Sequence, residues 1–190
     1  MRIVAGSFRG HGLLGPGDQS IRPTSDRLRE TLFNILAHTY EDIVSGARVL
    51  DLFAGTGALG LEALSRGARF ALFVDDGAAA RAIIRTNIEA LGLTGVTKLF
   101  RRDATRLGPA APAQPYDLVF CDPPYGKGLG EKAITSALAG GWIADRGIVI
   151  VEERRDTPFA LPDGMAFIES RTAGDSQLLF LRPHLPSSSA

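Results

Sequence analysis

Residues 49–60 read V-L-D-L-F-A-G-T-G-A-L-G, and the fold is decided there. An apolar run leads through Asp51 to Phe53. Three glycines follow, Gly55, Gly57 and Gly60, in the spacing G-x-G-x-x-G, and then a helix-favouring stretch with Leu59, Leu61, Ala63 and Leu64. Strand, tight glycine turn and helix form the setting in which that spacing carries meaning. Glycine tolerates the positive φ of such a turn and lets backbone come close to a ligand. The first N–H groups of the helix have no partner within it and are available to donate. Nucleotide-like ligands bind at the carboxyl ends of such strands.

The glycines alone are also consistent with a closely packed turn that binds nothing. Asp51 narrows the choice. Turns that bind NAD usually carry an apolar residue there, whereas D-x-F-x-G-x-G is similar to the first motif of S-adenosylmethionine-dependent methyltransferases. An acid at that place suits a ligand with an ammonium group and a sulfonium.

Working outward, 190 residues make one domain with room for at most a small appendage. Apolar residues at 45% and charged residues at 22% are those of a soluble globular chain. The formal net charge is zero, so any grip on nucleic acid has to come from a local patch. Cys121 is the single cysteine, which excludes an intrachain disulfide and fits the cytosol. No run approaches the ~18 apolar residues of a membrane span, and no signal peptide is visible. His11, His38 and His184 are scattered and show no metal spacing.

The pattern predicts strands at 47–53, 70–76, 98–102, 116–121, 147–151, 165–173 and 177–182. It predicts helices after Ser25, from the glycine turn to about 66, over 78–91 and over 130–139. Strands that alternate with helices and close on a hairpin at Gly174-Asp175-Ser176 point to an α/β, doubly wound, mostly parallel Rossmann-like sheet with an antiparallel last strand. Residues 1–20 read as a small β-hairpin extension, 21–183 as the main domain and 184–190 as a loose tail. Arg22-Pro23 should be extended, and Thr24 or Ser25 can cap the first helix. In that helix Leu28, Leu32, Ile35 and Leu36 share one face. Arg27, Glu30 and Asn34 share another, either solvated or closing over a cofactor. Asp75, about 20 residues past the glycines, is placed to hold ribose hydroxyls, with Asp76 as the alternative. Asp103 at the third strand's end either accepts from an adenine amine or caps the segment after it.

The fourth strand ends in Asp122-Pro123-Pro124-Tyr125. An exocyclic amine on a base is a weak nucleophile because its lone pair is delocalised into the ring. Acceptors aimed at its hydrogens make it more pyramidal. The Asp122 carboxylate and the Pro123 carbonyl supply two of them, and Tyr125 offers a face for the base. Such a base must be unpaired or flipped out of a duplex, and most of the rate then comes from positioning. A rigid turn is the plainer alternative for D-P-P-Y. Cys121, with no base partner in sight, reads as a core residue.

With the N-terminal M-R-I-V-A-G-S-F-R-G and the block R-P-T-S-D-R-L-R-E-T-L-F-N, these motifs resemble the bacterial 16S rRNA guanine-N2 methyltransferases of the RsmD type, over residues 1–182. The resemblance implies a class I methyltransferase sheet and S-adenosylmethionine as donor. It implies a cytoplasmic enzyme acting on 16S rRNA in the small subunit, with ribosomal proteins as part of the surface it meets; a monomer is expected, with no membrane or metal. It also implies donor contacts from Asp51, Phe53, Gly55, Gly57, Asp75, Asp103 and Asn34. Asp122, Pro123 and Tyr125 would carry the chemistry, and Pro124, Arg2, Arg9 and Arg22 would meet the substrate. The family commonly has Glu where this chain has Asp75-Asp76, and Ala104 is too small to stack on adenine. Three alternatives compete: an N6-adenine methyltransferase on RNA or DNA, a nicotinamide-dependent oxidoreductase, and a non-enzymatic RNA-binding factor. The modified nucleoside, a cofactor titration and the intact D-P-P-Y respectively discriminate them.

Overall fold

Short runs rich in branched and aromatic residues pair into a single sheet whose central strands are apolar on both faces. In the computed structural model, which describes residues 1–16 and 25–184, there are seven strands among the described residues. They are β1 (Arg48–Leu52), β2 (Phe70–Val74), β3 (Thr97–Phe100), β4 (Tyr116–Cys121), β5 (Ile143–Arg154), β6 (Met165–Ala173) and β7 (Ser176–Pro183). Their order across the sheet is β3-β2-β1-β4-β5-β7-β6. The first five are parallel, while β7 runs antiparallel between β5 and β6. The chain leaves β1 in one direction and returns on its other side at β4. The carboxyl ends of β1 and β4 therefore flank the switch point where such sheets bind ligands.

The helices are α1 (Asp26–Thr39), α2 (Ala58–Ser65), α3 (Ala78–Ala90) and α4 (Leu129–Ala139). Side chains of α1, α2 and α3 pack with Phe73, Leu118 and Phe120 on one face of the sheet. Those of α4 pack with Leu50, Val119 and Trp142 on the other. Ser25 caps α1: its hydroxyl accepts from the Leu28 N–H at 3.1 Å, and Asp26 in the first turn suits the dipole. The Thr24 alternative, Arg22-Pro23 and the last six residues of the expected tail lie outside the described residues.

Two expectations are corrected. β5 is longer than 147–151. Its pairing with β4 shifts between Tyr116 and Leu118, and Gly147 lets the chain pass where a Cβ would sit 3.1 Å from the Tyr116 carbonyl. The N-terminal hairpin has one isolated bridge, Arg2 to Gly12, instead of two strands. Its backbone bonds close it on itself, as from the Ile3 N–H to the His11 carbonyl at 2.9 Å, and also reach α2. Buried Glu62 accepts the N–H groups of Val4 at 2.8 Å and Ala5 at 3.0 Å, and the Ser65 hydroxyl accepts that of Phe8. Gly6 lies against Ser65 so closely that a Cβ would overlap its carbonyl. Helix α2 is thereby buried all round, and its polar side chains are satisfied by the segment that covers it.

Candidate functional site

At the carboxyl end of β1 the backbone turns through three residues of positive φ: Phe53 at 57°, Gly55 at 58° and Gly57 at 77°. Phe53 is not glycine, so its left-handed backbone stores strain at the start of the turn. Asp75 fixes the turn from the side. Its Oδ2 accepts the Gly55 N–H at 2.9 Å and its Oδ1 accepts the Gly77 N–H at 2.8 Å, which ties the end of β2 to the loop. Asp51, fully buried, accepts the Gly60 N–H at 3.0 Å near the start of α2. A Cβ at Gly60 would lie 2.4 Å from the Phe73 ring, so glycine is required there.

These elements open on a cavity of about 760 Å³, a size suited to a small-molecule ligand. Asp51, Phe53, Gly55, Asp75 and Asp76 form one side. Asp122, Pro123, Pro124, Tyr125, Glu152 and the 173–176 turn form the other, and Ser25, the cap of α1, and Leu28 also line it. The sheet thus brings together most of the residues read from the sequence. Gly57 is outside the lining: it starts α2 and turns toward Phe73 and Ile84. Asp103 and Asn34 are exposed and also outside it. The Asp103 carboxylate caps the turn after β3, accepting the Thr105 N–H at 2.8 Å and hydroxyl at 2.7 Å.

The extension runs along α2, so its arginines separate. Met1 touches Thr56 near the glycine turn, and Arg2 pairs with Asp26 at 3.8 Å beside the lining residue Ser25. Arg9 lies at the tip beside Ser65, at the end of α2 away from the cavity. Arg22 lies outside the described residues. Cys121 is buried beneath the site, and burial together with Asp122 holds its thiol well above the ordinary range. It is a core residue. Among the described residues no His, Cys, Asp and Glu cluster could hold a metal.

Sequence reasoning passed over Glu152 and Ser176. Tyr125 donates its hydroxyl to Glu152 Oε1 at 2.5 Å, and Ser176 Oγ lies 2.9 Å from both. Burial, then the Glu152 hydrogen bond, raises the Tyr125 pKa. Glu152 lies near the carboxyl end of a central strand, as Asp51 and Asp122 do, and that was the available signal. Its place in the run Glu-Glu-Arg-Arg gave it the look of a solvated charge.

Burial pushes the Asp51 carboxyl up to about 8; the Gly60 N–H opposes this and Asp75 adds to it. The folded pKa therefore lies above the unfolded value of ~3.9. Between about pH 4 and 8 the unfolded chain ionises this group while the folded chain keeps its proton. Its stabilising contribution is full below that window and is lost as pH rises through it, at up to about 1.4 kcal/mol per pH unit. Asp51→Asn should remove this part of the slope, measured as the difference between urea unfolding curves from pH 5 to 8. Parallel slopes for the two proteins would mean that Asp51 is ionised in the folded chain.

The sequence pattern of the family described as "Conserved hypothetical protein 95" matches residues 1–182. Ribosomal RNA small subunit methyltransferase D of Escherichia coli is 40% identical over 153 residues, covering 80% of this chain and 74% of that protein. The Haemophilus influenzae protein of the same name is 31% identical over 176 residues, covering 92% and 89%. The solved Escherichia coli structure yhhF, provisionally described as a methyltransferase, superposes with a TM-score of 0.82 at 33% identity. That match covers 98% of this chain and 99% of the other.

Proposed function

The chain belongs to the family described as conserved hypothetical protein 95, the RsmD-type methyltransferases, and on that premise we propose that it methylates the N2 amine of a guanine in 16S rRNA of the small ribosomal subunit, with S-adenosylmethionine as donor. The names of the relatives point to ribosomal RNA. The observation that carries the reading is the sign of the cavity wall. Five carboxylates line it, Asp75, Asp76, Asp122, Glu152 and Asp175, beside the buried carboxyl of Asp51, and among the described residues no Lys or Arg does. A dinucleotide would bring its pyrophosphate against that wall without a counter-charge. A ligand with an ammonium group and a sulfonium is attracted to it.

Asp51, Phe53, Gly55 and Asp75 are the residues that would hold the donor, with Asp75 or Asp76 for the ribose. When bound, S-adenosylmethionine supplies a methyl group on cationic sulfur, and the amine nitrogen gains the N–C bond as the C–S bond breaks to leave a neutral thioether. Asp122 and the Pro123 carbonyl accept the two amine hydrogens and raise the lone pair out of the ring plane. Tyr125 and Pro124 hold the ring. The nitrogen left cationic after attack faces the Asp122 carboxylate, which takes its proton. Arg2, beside the cavity, and Arg9 at the far tip are the candidate RNA contacts, and such a substrate places the protein in the cytoplasm.

The test is nucleoside mass spectrometry on small subunits that lack the modification, after incubation with protein and donor. N2-methylguanosine is expected; methyladenosine or an unmodified product would overturn the reading. In calorimetry, S-adenosylmethionine and its demethylated product should bind and NAD should not. Gly57→Val should lower stability and also weaken donor binding, because a β-branched residue at φ 77° costs at least ~1–2 kcal/mol and its relief moves the turn that carries Gly55. Tight NAD binding without a response to S-adenosylmethionine would sink the donor assignment.

A further inference from the structure

We infer that Glu152 is a base-selecting residue that accepts the N1–H of the target guanine beside the amine held by Asp122; this rests on the guanine reading above. Cys121 pairs with Val151 in the parallel β4–β5 ladder. The next residues, Asp122 just past β4 and Glu152 still within β5, therefore lie side by side, at the ~4.8 Å spacing of neighbouring strands. Both line the cavity. Glu152 is only 7% exposed, so its carboxylate meets little besides the protein and that cavity.

Its two oxygens are not equivalent. Oε1 accepts the hydroxyls of Tyr125 and Ser176, which fixes the carboxylate in one orientation. Oε2 accepts no hydrogen bond among the described residues, yet it is not a fully enclosed unsatisfied atom. A buried acceptor anchored on one side and open to a cavity on the other is suited to a ligand donor.

Guanine presents adjacent donors along one edge, N1–H and the N2 amine. Two neighbouring carboxylates match that edge. Adenine presents its amine beside N1, which is an acceptor, so Glu152 would face it acceptor to acceptor. The same argument separates guanine from 2-aminopurine, which keeps the 2-amine and lacks the N1 hydrogen.

The experiment compares wild-type protein with Glu152→Gln on small subunits reconstituted with guanine or 2-aminopurine at the target position. Wild type should methylate the 2-aminopurine substrate roughly tenfold to a hundredfold more slowly than guanine, the range for a hydrogen bond to a charged group. Glu152→Gln keeps an oxygen for the two hydroxyls and turns an amide N–H₂ toward the base. It should lose a similar factor in kcat/KM on guanine and keep its donor affinity. Its preference should also move toward 2-aminopurine by at least about tenfold. Equal use of both bases by wild type would overturn the inference, and that arm does not depend on the variant folding. So would near-normal guanine activity in Glu152→Gln, which means that Glu152 only anchors Tyr125, or an equal loss on both bases. Methyladenosine made by wild type would overturn the guanine reading itself, and that outcome is distinct from methylguanosine formed without discrimination.

Discussion

Asp122→Ala is expected to lower methyl transfer by roughly a hundredfold to ten-thousandfold, the range in which positioned acid–base groups act, while fold and donor affinity survive. The separation follows from geometry. Asp122 enters the site just after β4, and its backbone N–H still points to the Leu52 carbonyl at 3.4 Å whatever its side chain. The carboxylate lines the cavity and accepts none of the Gly55, Gly60 and Gly77 N–H groups that Asp75 and Asp51 hold, so truncation leaves those contacts in place. The loss should fall on turnover, because the carboxylate meets a charge that exists only once the nitrogen has attacked. Asp122→Asn keeps one acceptor oxygen for the amine but offers neither counter-charge nor proton acceptor, and it should recover little. Single-turnover rates on unmodified small subunits, set beside donor calorimetry, give both halves of the comparison. Full activity in Asp122→Ala would reduce D-P-P-Y to a rigid turn and move amine positioning elsewhere.

What the sequence made legible follows the range of the interactions. The glycine turn, the start of α1 at Ser25 and the strand ending at D-P-P-Y are set by neighbours a few residues apart, and the structure has them where the pattern put them. The doubly wound order follows from alternating strands and helices, which is again local. The features missed join distant segments. Nothing near Glu62 or Ser65 announces that N–H groups 57 and 58 residues earlier would cap them. An apparent surface hairpin therefore proved to be the cover of α2, with Arg9 carried away from the cavity. Buried Arg29 is similar: it sits in a helix that reads as amphipathic, and it donates to the Arg2 carbonyl across 27 residues. The closing hairpin was readable, but its insertion with β7 next to β5 was not, and that insertion places Ser176 beside Glu152.

The same insertion changes what Tyr125 variants should do. From sequence, Tyr125 is a face for the base, and Tyr125→Phe should retain most activity. The structure gives the hydroxyl a task, since it donates to the buried Glu152 carboxylate at 2.5 Å and contacts Ser176 at 2.9 Å. Tyr125→Phe keeps the face and leaves Glu152 with Ser176 as its remaining partner. Depriving a buried acceptor of a donor costs about 1–3 kcal/mol. The loss should appear first as a lower unfolding midpoint, and then as a several-fold loss of activity as the carboxylate and the ring loosen together. Tyr125→Ala removes the face as well. Stacking is worth about 1–3 kcal/mol per base, which adds roughly a tenfold to hundredfold loss in kcat/KM if it acts in the transition state. The expected order is therefore wild type, Phe, then Ala, with donor affinity level across all three because the Tyr125 hydroxyl bonds Glu152 and Ser176 and not the Asp51 and Asp75 groups. Thermal melts, donor calorimetry and steady-state kinetics on the three proteins test that order. If Phe matched wild type in both midpoint and rate, the bond to Glu152 would be dispensable and the ring alone would matter. If Phe and Ala lost activity equally, the hydroxyl network would be the functional part and stacking would contribute nothing.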